Sequence, residues 1–261
     1  NKKGKNMSKE NIKFGTIIPL IGGSAIGCSQ SAGVKPTFHL SYDAFAANES
    51  HLEKYWDDVP MYRLDQPDLE IPKNTFENVD YINSVCPCAG LSLLNSASGS
   101  SASRGSDAVQ NKWMYDSSNY ILENVKPKVL WGENAPGLFT KMGEGVVKRL
   151  REIGEQHGYS FSLIKTNTEL HGIPQRRMRT FYFFWNTPTV PMLNWKFREK
   201  SSLLDYLNKI PESATLQDMF MVNGNVTEHF RPYEFVLEKE GLTHFEFSKK
   251  SVAQIYGGGL I

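Results

Sequence analysis

Cysteine is scarce in this chain, with three residues in 261, and a set that small and odd in number forms no disulfide framework. That usage fits a reducing compartment, and a cytoplasmic location is the expectation. No stretch approaches the eighteen or so consecutive apolar residues of a membrane helix. The opening NKKGKNMSKEN has no apolar run behind its lysines, so residues 1–13 read as a polar leader rather than a secretory signal. Charge of one sign is missing too. With 29 basic and 28 acidic residues the net charge is +1, so any surface for a polyanion must be a local patch. The six histidines are scattered, without the close spacing of metal ligands. No internal repeat is visible.

What is present is an alternation of short apolar runs and amphipathic stretches. Residues 14–20 (FGTIIPL) read as a buried strand ending at Ile21-Gly22-Gly23, with a helix over 24–31 that Ser24 could cap. A second strand is expected over 37–42 and a helix over 44–55. Residues 79–85 lead into SVCPCAGLS, and the Gly/Ser-rich 95–106 reads as a loop. Then come a helix over 107–124, a strand over 128–131 ending at Gly132-Glu133-Asn134, a helix over 143–157, and strands over 159–166 and 180–185. This order predicts an α/β, Rossmann-like sheet with helices on both faces. Ligands on such sheets bind beyond the carboxyl ends of the strands, where Gly22-Gly23, Cys88 and Glu133 all fall. After Pro188 and Pro191 the pattern becomes irregular, with a short amphipathic helix over 201–210. The expected division is a catalytic domain over 14–187 and a partial C-terminal region over 188–261.

Cys86-Pro87-Cys88 raises a chemical question. A structural metal site needs about four ligands in paired groups, and no second pair exists. A redox pair normally reads C-x-x-C. Two readings stay open: a pair of small buried side chains, or one nucleophilic thiol with a bystander. Glu133, at a strand end, is either a cap or ion-pair partner, or a desolvated carboxyl able to hold a proton near neutrality. Arg177 and Arg179 share one face if the strand begins there. They form either a solvated basic turn or a clamp for an anion or carbonyl oxygen.

Taken in order, Pro87-Cys88, Arg104-Gly105 ahead of a helix, the Pro127–Trp131 run into Glu133-Asn134, and Gln175-x-Arg177-x-Arg179 resemble the motif series of DNA (cytosine-5) methyltransferases, of the prokaryotic or phage type that serve modification systems. The resemblance covers residues 14–187. It implies that Cys88 is the nucleophile and Cys86 the bystander, that Glu133 holds a proton on the target ring, and that Arg179 holds the ring oxygen with Arg177 organising the site. It further implies S-adenosyl-L-methionine as cofactor, double-stranded DNA as partner, a base swung out of the duplex, and a mobile loop at 95–106. One branch of the same family acts on a tRNA cytosine, and a relative that binds DNA or a partner without turnover is the other alternative. A cysteine hydrolase pairing Cys88 with His171 is a further reading of the residues, which leaves the arginines unexplained.

The cofactor end departs from the family pattern. Where the family places Asp-Leu-Phe-x-Gly-x-Gly-Gly, this chain has Thr16-Ile17-Ile18-Pro19-Leu20-Ile21-Gly22-Gly23. Ile18 stands at the adenine-stacking position, and Gly22 and Gly23 retain the close backbone approach. Ser41-Tyr42-Asp43 occupies the place of the ribose-binding acid, so Tyr42 and Asp43 are the expected contacts, with Asp65 toward the adenine amine and Pro87 beside the cofactor. Ala89 replaces the usual Gln after the nucleophile. Residues 188–261 resemble the start of a target-recognition region, with Arg198, Lys200 and Arg231 as candidate phosphate contacts. The family's late motifs are not recognised before Ile261, so their part is expected from a C-terminal extension or a second chain.

Overall fold

The computed structural model describes residues 12–92 and 105–188, and beyond them 198, 199, 202, 205, 221, 222, 225 and 226. The chain divides into two units, Asn1–His171 with Gln175–Phe197, and Gly172–Pro174 with Arg198–Ile261. In the second unit, strands Met221–Val222 and Asn225–Val226 pair antiparallel. The expected helix over 201–210 lies outside the described residues except at 202 and 205, where the Asp205 backbone N–H donates to Ser202 Oγ at 3.0 Å. Arg198 is exposed, while Lys200, Arg231 and the Gly/Ser-rich segment 93–104 also lie outside them.

The first unit is a seven-stranded sheet. Its strands are β1 (Phe14–Ile17), β2 (His39–Ser41), β3 (Met61–Arg63), β4 (Tyr81–Ser84), β5 (Val129–Asn134), β6 (Ser160–Asn167) and β7 (Met178–Trp185), in the spatial order β3-β2-β1-β4-β5-β7-β6. The first five run parallel, and β7 is inserted antiparallel between β5 and β6. Central position explains composition here. All four residues of β1 are buried, as expected of a parallel strand covered on both faces, whereas edge strand β6 keeps most side chains half-buried. The aromatic run of β7 seals one half of the core, with Tyr182 and Phe184 fully buried beside Leu130 and Ile82.

Helices α1 (Gly23–Ala32), α2 (Ala46–Tyr55), α3 (Asn111–Tyr120) and α4 (Glu144–Gln156) connect the strands. Two expectations are corrected. Ser24 does not cap α1; the cap is Gly22, in the left-handed region at φ 86°, and Ser24 Oγ instead accepts from Asn83 Nδ2 at 2.8 Å. The expected helix over 107–124 is a short 3-10 turn, then α3, then a π turn at Ile121–Val125. Strand order reverses between β1 and β4, so the crevice at their carboxyl ends is where this class of sheet binds ligands.

Because Leu130 is wholly enclosed on a central strand, Leu130→Ala is expected to cost about 2–5 kcal/mol in urea unfolding. Leu163→Ala, on the half-covered edge strand β6, is expected to cost less than half as much.

Candidate active site

Three chain segments meet at the carboxyl edge of the sheet. β4 and β5 are parallel neighbours in register from Tyr81↔Val129 to Ser84↔Gly132, so whatever follows Ser84 emerges beside whatever ends β5. β7 runs the other way, which brings its first residues to that same edge, and its pairing with β5 continues to Asn134↔Thr180. Glu133 is therefore the penultimate residue of β5, not a loop residue after it.

Glu133 stands opposite Phe181. Arg179, two residues earlier on β7, is its diagonal neighbour on the same face of the sheet. Arg179 Nε forms an ion pair with Glu133 Oε1, the two side chains remaining 19% and 25% exposed. Met178 O accepts a further hydrogen bond from Arg179 at 2.8 Å, holding the guanidinium against its own strand. Burial raises the Glu133 carboxyl above the ordinary range, and the charges of Arg179 and then Arg177 pull against that rise. Arg177 lies just ahead of β7 and is exposed. Its backbone N–H donates to Thr168 Oγ1 at 3.1 Å and Asn167 Oδ1 at 3.2 Å, which fixes the chain entering β7.

The two cysteines of the Cys-Pro-Cys run part company. Cys86 is 2% exposed and enclosed by hydroxyls, with Ser84 Oγ at 3.1 Å and Ser117 Oγ at 3.3 Å. Burial pushes its thiol up, and a buried thiol of that kind is a poor nucleophile. Cys88 is partly exposed and begins a 3-10 turn over Ala89–Leu91, its carbonyl accepting from the Leu91 N–H at 3.0 Å. Cys28, on α1, is half-buried, and burial pushes its thiol up to about 11. Only Cys88, among the three, combines partial exposure with the carboxyl edge.

The turns after β4 and β5 also touch. A Cβ at Gly137 would lie 2.1 Å from the Leu91 carbonyl oxygen, so that glycine permits the turn beyond Glu133 to pack on the turn beyond Cys88. Beneath them, Asn134 is fully buried and its Oδ1 accepts from the Ala135 N–H at 2.9 Å, locking the strand exit. His171, by contrast, sits beyond edge strand β6 with Nε2 2.8 Å from Thr166 Oγ1. Two strands separate it from β4, which gives a Cys88–His171 hydrolase no geometric support.

At the expected cofactor end, α1 begins at Gly22 with no described side chain capping it, and a Cβ at Gly23 would meet nothing within 4 Å. An uncapped helix start with open space before it suits the carboxylate of an amino-acid ligand. Asp43 is exposed, and its backbone N–H donates to both Asp65 carboxylate oxygens at 2.9 and 3.1 Å. That bond occupies Asp65 and leaves the Asp43 carboxylate at the mouth. Tyr42 is half-buried against Trp113, with ring centroids 4.7 Å apart, and Pro87 is half-buried beside Cys88. Ile18 is different: its side chain is 0% exposed, inside the apolar core, on a backbone at φ 50°. Glu49 and Arg63, which sequence reasoning passed over, form a buried ion pair next to this crevice. A glutamate within a polar helix carries no signal of burial; only the register of β2 and β3 reveals it.

The order β3-β2-β1-β4-β5-β7-β6, with the glycine turn after β1 and a thiol, a carboxyl and a guanidinium across β4, β5 and β7, defines an α/β methyltransferase-type domain. The family profile of the C-5 cytosine-specific DNA methylases matches residues 12–258, and the chain belongs to that family. It is 26% identical over 206 residues to the Type II methyltransferase M1.BsuMI of Bacillus subtilis, covering 72% of this chain and 46% of that protein. A prophage-encoded DNA modification methyltransferase from E. coli has the same fold, with TM-score 0.50, 20% identity, and coverage of 67% of this chain and 47% of that one. The Entamoeba histolytica methyltransferase EhMeth superposes with TM-score 0.53 at 17% identity, over 88% of this chain and 65% of the other. The chain thus spans about half the length of the first two relatives. Among the described residues no helix is long and apolar enough to cross a membrane, and no cluster of metal-ligating side chains occurs.

Replacing Arg179 by Met removes the largest charge opposing the burial of Glu133, so the carboxyl is expected to titrate at higher pH than in the wild type. Carbon-13 carboxyl NMR checks this; an unchanged or lower midpoint contradicts the pairing.

Proposed function

We propose that this chain carries the catalytic centre of an S-adenosylmethionine-dependent DNA cytosine C5 methyltransferase that works through a covalent adduct at Cys88. The observation that carries this reading is the division of labour at the carboxyl edge, where a buried Cys86 and a partly exposed Cys88 follow β4 while the Glu133–Arg179 pair lies on the next two strands, β5 and β7. Membership of the cytosine-specific family supplies the chemistry for that arrangement.

The ring carbon to be modified is a weak nucleophile. A Cys88 thiolate adding to C6 forms a sulfur–carbon bond and moves electron density toward C5. Negative charge then grows on the ring, and Glu133 and Arg179 are the side chains assigned to meet it. Glu133, held toward its protonated form by burial, keeps a proton at ring N3, while Arg179 donates to ring O2; pre-oriented donors of this kind lower the barrier where charge develops. Arg177 adds its charge to the same carboxyl. When bound, S-adenosylmethionine supplies the electrophilic methyl group that C5 takes up. Loss of the C5 proton then restores the double bond and expels the Cys88 thiolate. A stacked duplex hides both ring faces, so the cytosine must leave the helix to reach the site.

For the cofactor, the open start of α1 at Gly22 and Gly23 would hold the amino-acid end, Asp43 the ribose hydroxyls, and Tyr42, Asp65 and Pro87 the adenosine side. Ile18 contributes its backbone turn rather than a stacking face. Double-stranded DNA is the proposed substrate. The protein's Type II relative supports a place in a modification system.

The test is an adduct assay with the full-length protein. DNA bearing 5-fluorocytosine is expected to be trapped by the wild type and by Cys86→Ser, and not by Cys88→Ser, with no trapping of a matched tRNA. Glu133→Gln is expected to slow methyl transfer by about 10²–10⁴ with DNA affinity nearly unchanged. Trapping that persists in Cys88→Ser overturns the assignment.

A further inference from the structure

The crevice beside β1, β2 and β3 is organised by a carboxylate outside every motif discussed above. Glu49 lies on the first half of α2 and is 0% exposed. Its Oε1 accepts from Ser41 Oγ at 2.6 Å, at the carboxyl end of β2. Oε2 pairs with Arg63 at the carboxyl end of β3, and the other arm of that guanidinium reaches Glu53 Oε1 at 2.7 Å. One side chain thus ties α2 to the exits of two adjacent parallel strands, β2 and β3.

A second contact from α2 acts on the same turn. Gly22, at φ 86°, has Leu52 Cδ1 2.4 Å from where a Cβ would stand, and Leu52 follows Glu49 by three residues, on the same helical face. The turn itself is strained: Ile18 and Leu20 both have positive φ, at 50° and 51°, a conformation that costs about 1–3 kcal/mol for a non-glycine residue and persists only where its surroundings impose it. Where the family pattern has glycine at position 20 this chain has leucine, so an external constraint must hold the turn. Leu52, seated against Gly22 by the helix that Glu49 anchors to β2 and β3, supplies one.

We infer that Glu49 is the positioning residue of the cofactor turn, holding residues 18–23 in the shape in which the start of α1 meets the amino-acid end of S-adenosylmethionine. This rests on the cofactor reading given above. Glu49 touches no ligand in this account; it acts through α2, whose Leu52 it holds against Gly22. The buried pair with Arg63 neutralises the carboxylate without exposing it, and Ser41 fixes its rotamer. The absence of a carboxylate at position 41, where the family sets its ribose-binding acid, follows naturally: an acid there would meet Glu49 at close range, and like charges so near cannot both ionise.

Calorimetry with S-adenosylhomocysteine, on full-length protein, tests the inference. Wild-type protein is expected to bind. In Glu49→Gln, Kd is expected to rise tenfold or more, while the rate of methyl transfer at saturating cofactor stays within about twofold of wild type. Ser41→Ala, which loosens Glu49 and leaves the ion pair intact, should raise Kd by a smaller factor. Should Glu49→Gln unfold, the pair replaced by Glu49→Met with Arg63→Met removes both charges, and apolar replacement of a buried pair is often tolerated; circular dichroism confirms its fold before titration. A folded variant that binds as tightly as wild type overturns the positioning role. So does a fall in the saturated rate with no change in Kd. Failure of the wild type to bind refutes the cofactor reading itself, a different outcome from either.

Discussion

The parallel pairing of β4 with β5 governs the rest of this molecule. Four matched positions, ending at Ser84↔Gly132, bring a cysteine-bearing turn and a glutamate-bearing strand end out of the sheet side by side. The Glu133–Arg179 diagonal depends in turn on the β5–β7 register, where a slip of one residue would put the two on opposite faces. Register is secured by burial: Ile82 and Leu130 are both wholly enclosed, so a shifted strand would lose the packing around both. Asp80 adds a clasp at the other end, accepting from the Lys13 backbone N–H at 2.9 Å and from Lys128 Nζ at 2.6 Å.

Reversal of β7 is the second constraint. An antiparallel strand next to β5 places its amino end, with Arg179, where a parallel strand would present its carboxyl end. The guanidinium and the carboxyl therefore meet without either leaving regular structure. Side chains held on strands are positioned more tightly than side chains on loops. The nucleophile, in contrast, sits on a short turn. Its neighbourhood is stiffened by the packing of Gly137 on the Leu91 carbonyl.

Much of this was legible in the sequence because long apolar or aromatic runs ended by proline and glycine leave few choices. FGTIIPL and TFYFFW announce strands, and EGVVKRLREIGEQ reads as a helix with one apolar face. Short edge elements gave no such signal; β3 has three residues, two of them half-exposed. The length of β5 was underestimated because its last residues pair with β7 beyond the point where β4 ends. Ser24 has the chemistry of a cap, yet Gly22 begins α1 because only a left-handed residue can turn the chain there. At the site, Cys88, Glu133 and Arg179 were each visible as residues, while the pairing of Glu133 with Arg179 depends on strand direction. Glu49 was invisible for the same reason, its burial being decided by Arg63 on a strand that left no mark. The Gly/Ser-rich segment and most of the C-terminal region, for which a mobile loop, a short amphipathic helix and the start of a target-recognition region were expected, lie outside the described residues.

A crystal structure of the full-length protein trapped on a duplex containing 5-fluorocytosine bears most directly on the central claim. The account predicts a covalent bond from Cys88 Sγ to C6 of an extruded cytosine, with Glu133 at ring N3 and Arg179 at ring O2. A bond to Cys86, or a ring whose N3 edge faces away from β5 and β7, would contradict it.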